Sequence, residues 1–530
     1  MGNYILMIAA IILLCLSLNR VLNRLGIPML LAFIVLGMLF GTDGILKISF
    51  DDYNAAQHIC TISLIFIMFY GGFGTNIKQA KPVIVPAMFL STAGVIITAV
   101  VVGFFCHYLL HIDFMESMLI GAVVSSTDAA SVFSILRSKR LNLKYNTASM
   151  LEIESGSNDP FAYMLTIIIL NIMQGDFSAS DLFVMLFKQL FLGILTGVAV
   201  AYISAWLLKR VSFSVDGFDT IFVFSISMVA YAGAEMAGGN GYLSTYIAGI
   251  ILGNVKLKNK KSMVNFFDGV TGLVQILIFF LLGLLSYPSR MLEIMPYGLL
   301  IALVLTFIAR PLAVGIILTP FRCPLKQQIL VAWSGLRGAA SIVFAIIATV
   351  SPAYTKNDLF HIVIFIVLFS ISIQGTLLGG VAKKMDMMDE ESNVLMTFSD
   401  YSDEMPVDFI KISVSENHPW ADKAVKDITS LPDLLMVLIL RGDKKIIPNG
   451  NTVIYPNDKI IMSALSPEEN LGIYLSEIQV EKENKWIGRT LSRIKIGENQ
   501  LVILLKRGDK VLIPNGDTVI QKDDILVISG

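Results

Sequence analysis

The amino-acid sequence predicts a polytopic α-helical membrane protein with a smaller α+β domain at its C-terminus. The chain of 530 residues is 55% hydrophobic and only 15% charged, a composition that ordinary soluble proteins of this length do not have. The apolar excess lies in residues 1–387, whereas residues 391–530 have the composition of a soluble domain. Most apolar stretches have about the 20 residues that a helix needs to cross a bilayer.

Thirteen apolar segments predict about thirteen transmembrane helices. The first segment lacks a basic N-terminal region and an Ala-x-Ala site, so we interpret it as a span and not as a signal peptide. The segments cover residues 3–20, 27–42, 57–75, 82–105, 115–136, 149–172, 182–208, 219–235, 240–255, 263–285, 293–319, 326–350 and 358–382.

Loop charges predict the orientation of these spans. One set of alternate loops holds eighteen Lys and Arg residues, whereas the other holds Lys47, Arg290 and Lys356. Positively charged loops stay on the cytoplasmic side of a membrane. We therefore expect the N-terminus outside the inner cell membrane and the C-terminal domain in the cytoplasm.

Charge, cysteines and histidines exclude several functional classes. The net charge of −1 gives no electrostatic basis for binding nucleic acid. The four cysteines and the five histidines are scattered, and neither set has metal-ligand spacing. These observations argue against an enzyme.

The sixth segment carries carboxylates at membrane depth. Each costs about 2.5–3.5 kcal/mol on insertion scales, so such residues usually belong to a substrate path or a proton relay. Helical spacing places Ser155 and Asp159 on one face with Glu152 near it, and Glu154 with Asn158 on the neighbouring face. The sixth helix is therefore expected to face two different partners.

Two other segments contain polar runs that predict broken helices. In the fifth, the residues from Ser125 to Ser131 surround Asp128 with hydroxyl groups, which compete for backbone hydrogen bonds. In the twelfth, glycines and serines flank Arg337. Broken helices at mid-membrane are how many transporters coordinate cations.

Arg310, in the eleventh segment, needs a carboxylate partner in lipid, and Glu154 is the best candidate. The alternative to a functional role is that this pair simply locks two helices together. Small polar residues such as Ser131 are also ordinary packing residues between membrane helices. Asp128 and Asp159 have no obvious basic partner nearby in the sequence, which favours a functional role for both.

These motifs resemble those of the NhaP-type monovalent cation–proton antiporters. That family has a Thr-Asp pair in a broken helix, Glu-Ser-x-x-Asn-Asp in the next helix, then an arginine and a Gly-Leu-Arg-Gly segment in later helices. The matching residues, in spans 5, 6, 11 and 12, are Thr127-Asp128, Glu154–Asp159, Arg310 and Gly335–Gly338. The resemblance covers roughly residues 1–385.

The resemblance implies a homodimer, formed through the membrane domain and the tail, whose protomers have inverted repeats and two broken helices that cross beside the sixth. It implies that Asp159 binds a monovalent cation or a proton alternately, with no cofactor. The residues that would complete this ion site are Asp128, Ser155 and the backbone of Thr127. The residues that would stabilise the core are Glu154, Asn158 and Arg310. Arg337 and Glu152 are further possible site residues, with no assigned role.

Three positions bear on the coupling and the cation. Asn158 before Asp159, where other members have a second aspartate, resembles the electroneutral members, which exchange one cation for one proton. Ala129 stands where the family commonly has proline, and Tyr70 stands where many relatives have an acid. The second departure removes one cation ligand.

The C-terminal domain contains a duplication. Residues 420–464 and 486–530 align without a gap at an offset of 66, and 17 of 45 positions are identical. In each copy the sequence predicts a helical stretch (421–428 and 487–494), an apolar run, an Arg-Gly-Asp-Lys turn and short strands. For the turn, a plain hairpin is the main interpretation.

Each copy resembles the C-terminal lobe of the regulators of potassium conductance, called TrkA-C or RCK-C. In that family the lobe dimerises and sometimes binds a small regulator, including cyclic di-AMP. No Gly-rich nucleotide fingerprint is present in the sequence, which argues against NAD or ATP.

The sequence therefore predicts an exchanger domain (1–385), a linker (386–406) and two TrkA-C-like units (407–466 and 467–530). The favoured function is electroneutral K⁺/H⁺ exchange regulated by the tail, with a role in pH and volume homeostasis. Na⁺ or Li⁺ exchange for H⁺ is the alternative within this class. A potassium channel gated by the tail is a different class, but the sequence lacks a Thr-Val-Gly-Tyr-Gly filter.

Overall fold

The structure is a computed structural model that divides into two compact units, Met1–Asp403 and Glu404–Gly530. Each unit is described by itself. The described residues are 9–17, 29–128, 131–132, 143–175, 179–210, 217–255, 257, 260–353, 357–388, 407–416, 418–428, 434–442, 444–465, 475–480, 485–494, 501–507, 510–512 and 514–529.

The described part of the first unit is helical, and residues 9–17 precede its first named helix. The helices are α1 (Met29–Phe40), α2 (Tyr53–Gly74), α3 (Ile77–Ala80), α4 (Ile84–Leu110), α5 (Phe114–Val123), α6 (Thr147–Gln174), α7 (Ala179–Arg210), α8 (Phe218–Ala237), α9 (Gly241–Asn254), α10 (Lys260–Leu285), α11 (Pro288–Leu318), α12 (Leu325–Trp333), α13 (Ala339–Val350) and α14 (Leu359–Lys384). Both α11 and α14 contain a π-helical turn, at Leu305–Ala309 and Ser370–Gly375.

Helical residues occur within every predicted span. Seven helices in the described part of the chain are long and apolar enough to cross a membrane, and three shorter apolar helices accompany them. The fold is therefore that of a helical multi-pass membrane protein. The count of thirteen spans and the inverted repeats stay predictions.

Glycines allow the backbone of α9 to pack directly against the backbones of α2 and α7. A Cβ atom built on Gly249 or Gly253 would lie 2.3 or 2.2 Å from a carbonyl oxygen of α2, and one on Gly197 of α7 would lie 2.5 Å from the Ser244 carbonyl oxygen. Small residues allow such close approach of membrane helices. α9 is therefore fixed tightly to its two neighbours.

The chain that follows α14 is attached to the loop before α6. Met388 forms an isolated bridge with Leu143, and the Lys144 N–H donates to the Met387 carbonyl oxygen at 2.9 Å. Asp386 forms ion pairs with Lys144 at 3.1 Å and with Lys326, at the start of α12, at 3.5 Å. The first three residues of the predicted linker are thus packed; residues 389–406 lie outside the described residues.

The second unit contains two four-stranded antiparallel sheets with one topology. The strands are β1 (Val407–Ser413), β2 (Leu434–Arg441), β3 (Lys444–Ile446), β4 (Lys459–Leu465), β5 (Leu475–Gln479), β6 (Leu501–Arg507), β7 (Lys510–Leu512) and β8 (Ile525–Ser529). The strand orders are β1-β4-β2-β3 and β5-β8-β6-β7. Register shifts at Met436/Leu438 and Val502/Leu504 differ by 66 positions, so the two copies in the sequence fold alike.

The helical stretches predicted for residues 421–428 and 487–494 are wrong. Each contains turns and one short 3₁₀ turn, Val425–Asp427 or Leu491–Arg493. Their backbone N–H groups bond distant carbonyls: Val425 bonds Thr452, and Leu491 bonds Thr518. These long-range bonds replace the bonds to residue i−4 that an α-helix needs.

Candidate functional site

The first break in a helix follows α5. Its last residue is Val123, and the Ser125 hydroxyl donates to the Ala122 carbonyl oxygen at 2.6 Å. Residues 124–128 are not helical, and helix resumes at residues 131–132. This agrees with the sequence prediction, because the serine hydroxyl takes a carbonyl that a helix would use.

The second break separates α12 from α13. The Ser334 hydroxyl donates to the Leu330 carbonyl oxygen at 2.7 Å, and residues 335–338 are not helical. Gly338 lies directly against Asp128, since a Cβ atom there would be 1.9 Å from the Asp128 Oδ2 atom. Only glycine allows this close approach.

Hydrogen bonds join the two unwound segments. The Asp128 N–H donates to the Leu336 carbonyl oxygen at 2.8 Å. The Arg337 guanidinium donates from Nη1 to the carbonyl oxygens of Ser125 and Ser126, at 3.0 and 2.5 Å. These carbonyls lie just past the C-terminus of α5, where a positive charge is favourable. Arg337, which belongs to the second break, therefore stabilises the first break.

Asp159, in the middle of α6, points its carboxylate at the first break. It is 5% exposed, and its Oδ1 atom accepts a hydrogen bond from the Ser126 hydroxyl. The Ser155 hydroxyl donates to the Thr127 carbonyl oxygen at 2.7 Å, and the Asn158 amide donates to the Thr127 hydroxyl at 2.5 Å. The structure thus brings α6 and the first break together around Asp159.

Asp128 lies beside this site, and a residue three positions later in the same segment binds its carboxylate. Its carboxylate accepts hydrogen bonds from the Ser131 hydroxyl at 2.5 Å and from the Ser131 N–H at 3.3 Å. The two aspartates, Asp128 and Asp159, are close enough for their charges to act on each other. Two carboxylates near hydroxyl and carbonyl oxygens form the kind of oxygen-rich site that hard cations bind.

Glu154 and Arg310 form the ion pair that the sequence predicts, with 2.5 Å between Nη1 and Oε1. Both side chains are buried. Arg310 directly follows the π-helical turn of α11. Its Nε atom lies against Gly335, since a Cβ atom there would be 2.7 Å away. The pair therefore links α6, α11 and the second break.

Two residues considered in the sequence lie apart from this cluster. Glu152 meets the Thr75 hydroxyl, at the end of α2, at 3.5 Å. The Tyr70 hydroxyl contacts the Asp268 carboxylate of α10 at 3.2 Å. Within the part of the chain that the structure describes, no three His, Cys, Asp or Glu side chains form a group that could hold a metal ion.

Sequence reasoning missed several residues of the site. It grouped Ser126 with the other hydroxyls but assigned it no role, and it did not anticipate that Gly338 lies on Asp128. It also missed Asn240, whose amide donates to the Pro160 carbonyl oxygen at 3.0 Å. No direct signal in the sequence predicts this last contact, because a proline inside a helix frees the carbonyl oxygen four residues earlier, here that of Gly156, and not its own.

Comparison with family models shows which protein family the chain belongs to. The family model described as "Sodium/hydrogen exchanger, transmembrane" matches residues 8–384. The chain belongs to this family. The TrkA-C domain model matches twice, at residues 409–469 and 475–530. The chain therefore combines a transporter domain with two TrkA-C domains.

Named relatives agree with this assignment. The chain is similar to the K(+)/H(+) antiporter NhaP of Alkalimonas amylolytica, 32% identical over 86% of this chain and 80% of that protein. It is similar to the K(+)/H(+) antiporter NhaP2 of Shewanella sp. (strain MR-4), 33% identical over 89% of this chain and 82% of that protein.

A solved structure supports the fold of the first unit. The sodium proton antiporter MjNhaP1 from Methanocaldococcus jannaschii, solved at pH 8, matches with a TM-score of 0.63 and 25% identity. The match covers 71% of this chain and 97% of that chain.

Proposed function

We propose that this protein exchanges a monovalent cation, K⁺ by preference, for H⁺, one for one, and that Asp159 carries both in turn. The observation that carries this proposal is the Asp159 carboxylate, buried at mid-helix and facing an unwound segment. In the described residues its hydrogen-bond partner is the Ser126 hydroxyl, and the Arg337 charge acts on it without a hydrogen bond between the two side chains. A carboxylate in this setting is free to exchange a proton for a cation.

Burial makes this exchange obligatory. A bare carboxylate is costly in a low-dielectric interior, so the empty charged form rarely crosses the membrane. When Asp159 is protonated or bound to a cation, its carboxyl group carries no net charge, and the helices that hold it can then change conformation. Because Asn158 supplies an amide where a second acid would add charge, each cycle carries one cation against one proton.

The neighbouring residues have separate roles in this proposal. Asp128, Ser155 and the Thr127 carbonyl oxygen complete the cation site beside Asp159. Glu154, Asn158 and Arg310 stabilise the core. Arg337 holds the carbonyl oxygens of the first break in position. Glu152 lies near the N-terminus of α6, where it accepts a hydrogen bond from the Thr75 hydroxyl. The hydrogen bonds and the ion pair described above support this division.

The proposed architecture has thirteen spans with inverted repeats, in which the two broken helices cross beside α6. The N-terminus lies outside the inner cell membrane in this proposal, as the distribution of loop charges favours. Two copies of the protein form a homodimer through the membrane domain and the tail. The domain boundaries proposed from the sequence are 1–385, 386–406, 407–466 and 467–530.

The choice of K⁺ rests on the K(+)/H(+) antiporters among the relatives, and on the TrkA-C domains. The alternative cargo is Na⁺ or Li⁺, which the sodium proton antiporter structure supports. Exchange in proteoliposomes, measured as the cation-induced collapse of a preset proton gradient with K⁺, Na⁺ and Li⁺ compared, decides between them. A channel would instead carry voltage-dependent current, which a one-for-one exchanger does not.

The TrkA-C tail regulates exchange in this proposal, in response to pH or to a small molecule such as a cyclic dinucleotide. Deleting residues 400–530 is expected to change the pH or ligand dependence and to leave some exchange. Identical activity profiles for the truncated and the full-length protein would refute the regulatory role.

Asp159→Asn is the central test of the proposed function. The change keeps the shape of the side chain but removes the titrating group, so cation-driven proton flux is expected to vanish while the protein still folds. Glu293→Gln, which neutralises an exposed carboxylate of α11, is the matched control and is expected to keep its flux. Robust flux in vesicles that contain Asp159→Asn would refute the assignment.

A further inference from the structure

The face of α6 that carries Asp159 also faces α9. A rotation of about 100° per residue places Gly156 and Tyr163 within about 60° of Asp159 on one side of the helix, and Ser155 about 40° away on the other. Gly156 and Tyr163 contact α9, whereas Ser155 contacts the first break. The Asp159 side chain therefore stands between the unwound segment and α9.

Two tyrosines of α9 contact this face, one helical turn before Asp159 and one turn after it. Tyr246 lies on Gly156, since a Cβ atom there would be 2.7 Å from the Tyr246 hydroxyl oxygen. The Tyr242 ring meets the Tyr163 ring edge to face, with 5.0 Å between the ring centroids. Along α6, the two tyrosines thus bracket the carboxylate.

The hydroxyl groups of both tyrosines are buried beside other hydroxyl groups. Tyr242 is 1% exposed and Tyr246 is 2% exposed. Within the part of the chain that the structure describes, neither hydroxyl oxygen makes a well-formed hydrogen bond. The neighbouring hydroxyl groups are those of Thr61 and Tyr231 near Tyr242, and of Ser157 and Thr75 near Tyr246. Phenylalanine would fill the same space without burying these polar groups, so packing alone does not require the two hydroxyl oxygens.

The backbone that carries these tyrosines is rigid. Gly249 and Gly253 place α9 against α2, and Gly197 of α7 lies against Ser244, between the two tyrosines. At the N-terminus of α9, Asn240 holds the Pro160 carbonyl oxygen of α6. The two hydroxyl groups therefore have fixed positions, as preorganised ligands have.

We propose that the hydroxyl oxygens of Tyr242 and Tyr246 bind the monovalent cation on its way to and from Asp159, one on each side, and help to determine which cation is exchanged. Alkali cations that lose hydration water need oxygen ligands in its place. A tyrosine hydroxyl accepts through its oxygen, and the ring face itself attracts cations. This inference rests on the proposed function and adds two specificity-determining residues to it.

The test removes one oxygen atom at a time. Tyr242→Phe and Tyr246→Phe keep the rings, and Tyr202→Phe, at a site 63% exposed on α7, is the matched control. Each of the first two is expected to raise the apparent KM for K⁺ roughly tenfold, the effect of one lost ligand interaction, and to change the ratio of the KM values for K⁺ and Na⁺. The control is expected to match the unmodified protein.

A binding measurement that needs no transport accompanies this assay. K⁺ that binds the folded protein raises its melting temperature. The two variants are expected to keep their melting temperature in K⁺-free buffer and to lose part of the K⁺-induced rise. KM values within twofold of the unmodified protein, with an unchanged K⁺/Na⁺ ratio and an unchanged K⁺-induced rise, would overturn the inference, whatever the melting temperature.

Asp159→Asn in the same assay separates the two proposals. If it abolishes exchange while the phenylalanine variants keep their KM values and K⁺-induced rise, the tyrosine inference alone fails. If it keeps exchange, the proposed function fails.

Discussion

Arg310 and Glu154 in the first unit meet through one contact of 2.5 Å, whereas Arg441 and Asp458 in the tail meet through two, at 2.9 and 2.8 Å. In the tail pair, Arg441 also donates to the Val453 carbonyl oxygen, and Asp458 also accepts from the Tyr455 N–H. Arg507 and Asp524 repeat this arrangement in the second TrkA-C domain, at 2.8 and 2.7 Å.

The membrane pair leaves polar atoms unpaired. Among the described residues, the Arg310 Nε and Nη2 atoms and the Glu154 Oε2 atom have no hydrogen-bond partner, and the same holds for Arg337 Nε and Nη2 and for Asn158 Oδ1. Buried polar groups are nearly always paired in folded proteins. Both carboxylate oxygens are bonded in each tail pair, so these pairs are structural links, whereas the membrane pair keeps unpaired atoms on α6 and α11.

Removing one partner of the membrane pair is expected to have the largest effect on stability. Glu154→Ala leaves the buried Arg310 charge without its carboxylate, at a cost of about 3–5 kcal/mol. The expected result is a strong fall in the melting temperature of the purified protein. Arg290→Gln, at an exposed arginine 3.8 Å from its acidic partner, is the control and should change little.

A double variant sharpens this result. Glu154→Gln combined with Arg310→Gln removes both charges, so it is expected to be less destabilised than the sum of the single variants. Additive effects would contradict the view that the two residues act as a pair.

Gly338→Ala tests how tightly the two breaks fit each other. The added Cβ atom would lie 1.9 Å from the Asp128 carboxylate, so Asp128 must move. A displacement of about 1 Å can cost ~100-fold in rate, and we expect a loss of exchange of that size. Gly315→Ala, whose Cβ atom would have no neighbour within 4 Å, is the control; equal exchange in the two variants would contradict the site geometry.

The two arginine–aspartate pairs of the tail are expected to matter for its stability and not for ion exchange itself. Asp458→Asn and Asp524→Asn each replace a buried carboxylate that accepts charged hydrogen bonds, at a cost of about 1.5–3 kcal/mol each. Protease sensitivity of the tail in the full-length protein should rise in both variants. Loss of basal exchange would show that these pairs do more than stabilise the tail.

The acid stability of the tail should depend on the same carboxylates. Burial acts to raise the pKa of Asp458, but the bonds from Arg441 and the Tyr455 N–H outweigh it, and the pKa lies below its ordinary value of about 3.9. The stabilisation is therefore complete above about pH 5 and is lost as the pH falls through the ordinary and then the lowered pKa. Protease sensitivity should be flat from pH 7 to pH 5 and rise below pH 4, and less steeply in Asp458→Asn.

Tyr455 gives the smallest expected effect and distinguishes the two copies. Its ring lies under the Arg441 guanidinium, 4.4 Å from the ring centroid, and glutamine occupies the matching position 521. Tyr455→Gln is expected to destabilise the first TrkA-C domain by about 0.5–1 kcal/mol, the value of an exposed cation–π contact. Proteolysis of the first copy should then approach that of the second.

The sequence was sufficient to predict the features that depend on local residue type. Hydroxyl-rich and glycine-rich runs predict the breaks at 124–128 and 334–338, and the need of a buried arginine for an acid predicts the Glu154–Arg310 pair. It could not show that Ser126 reaches Asp159, because that depends on the path of the unwound backbone. The helix expected at residues 421–428 does not form, because backbone bonds such as that from Val425 to Thr452 reach across the domain, which local residue type does not reveal.

The attachment at Asp386 has a mechanical consequence. The tail continues from a segment that is fastened to Leu143 and Lys144 before α6 and to Lys326 of α12. A pull on Met388 would therefore act on both of these helices at once. Asp159 lies twelve residues into α6, about 18 Å along its axis, so this attachment and the proposed ion carrier belong to one helix.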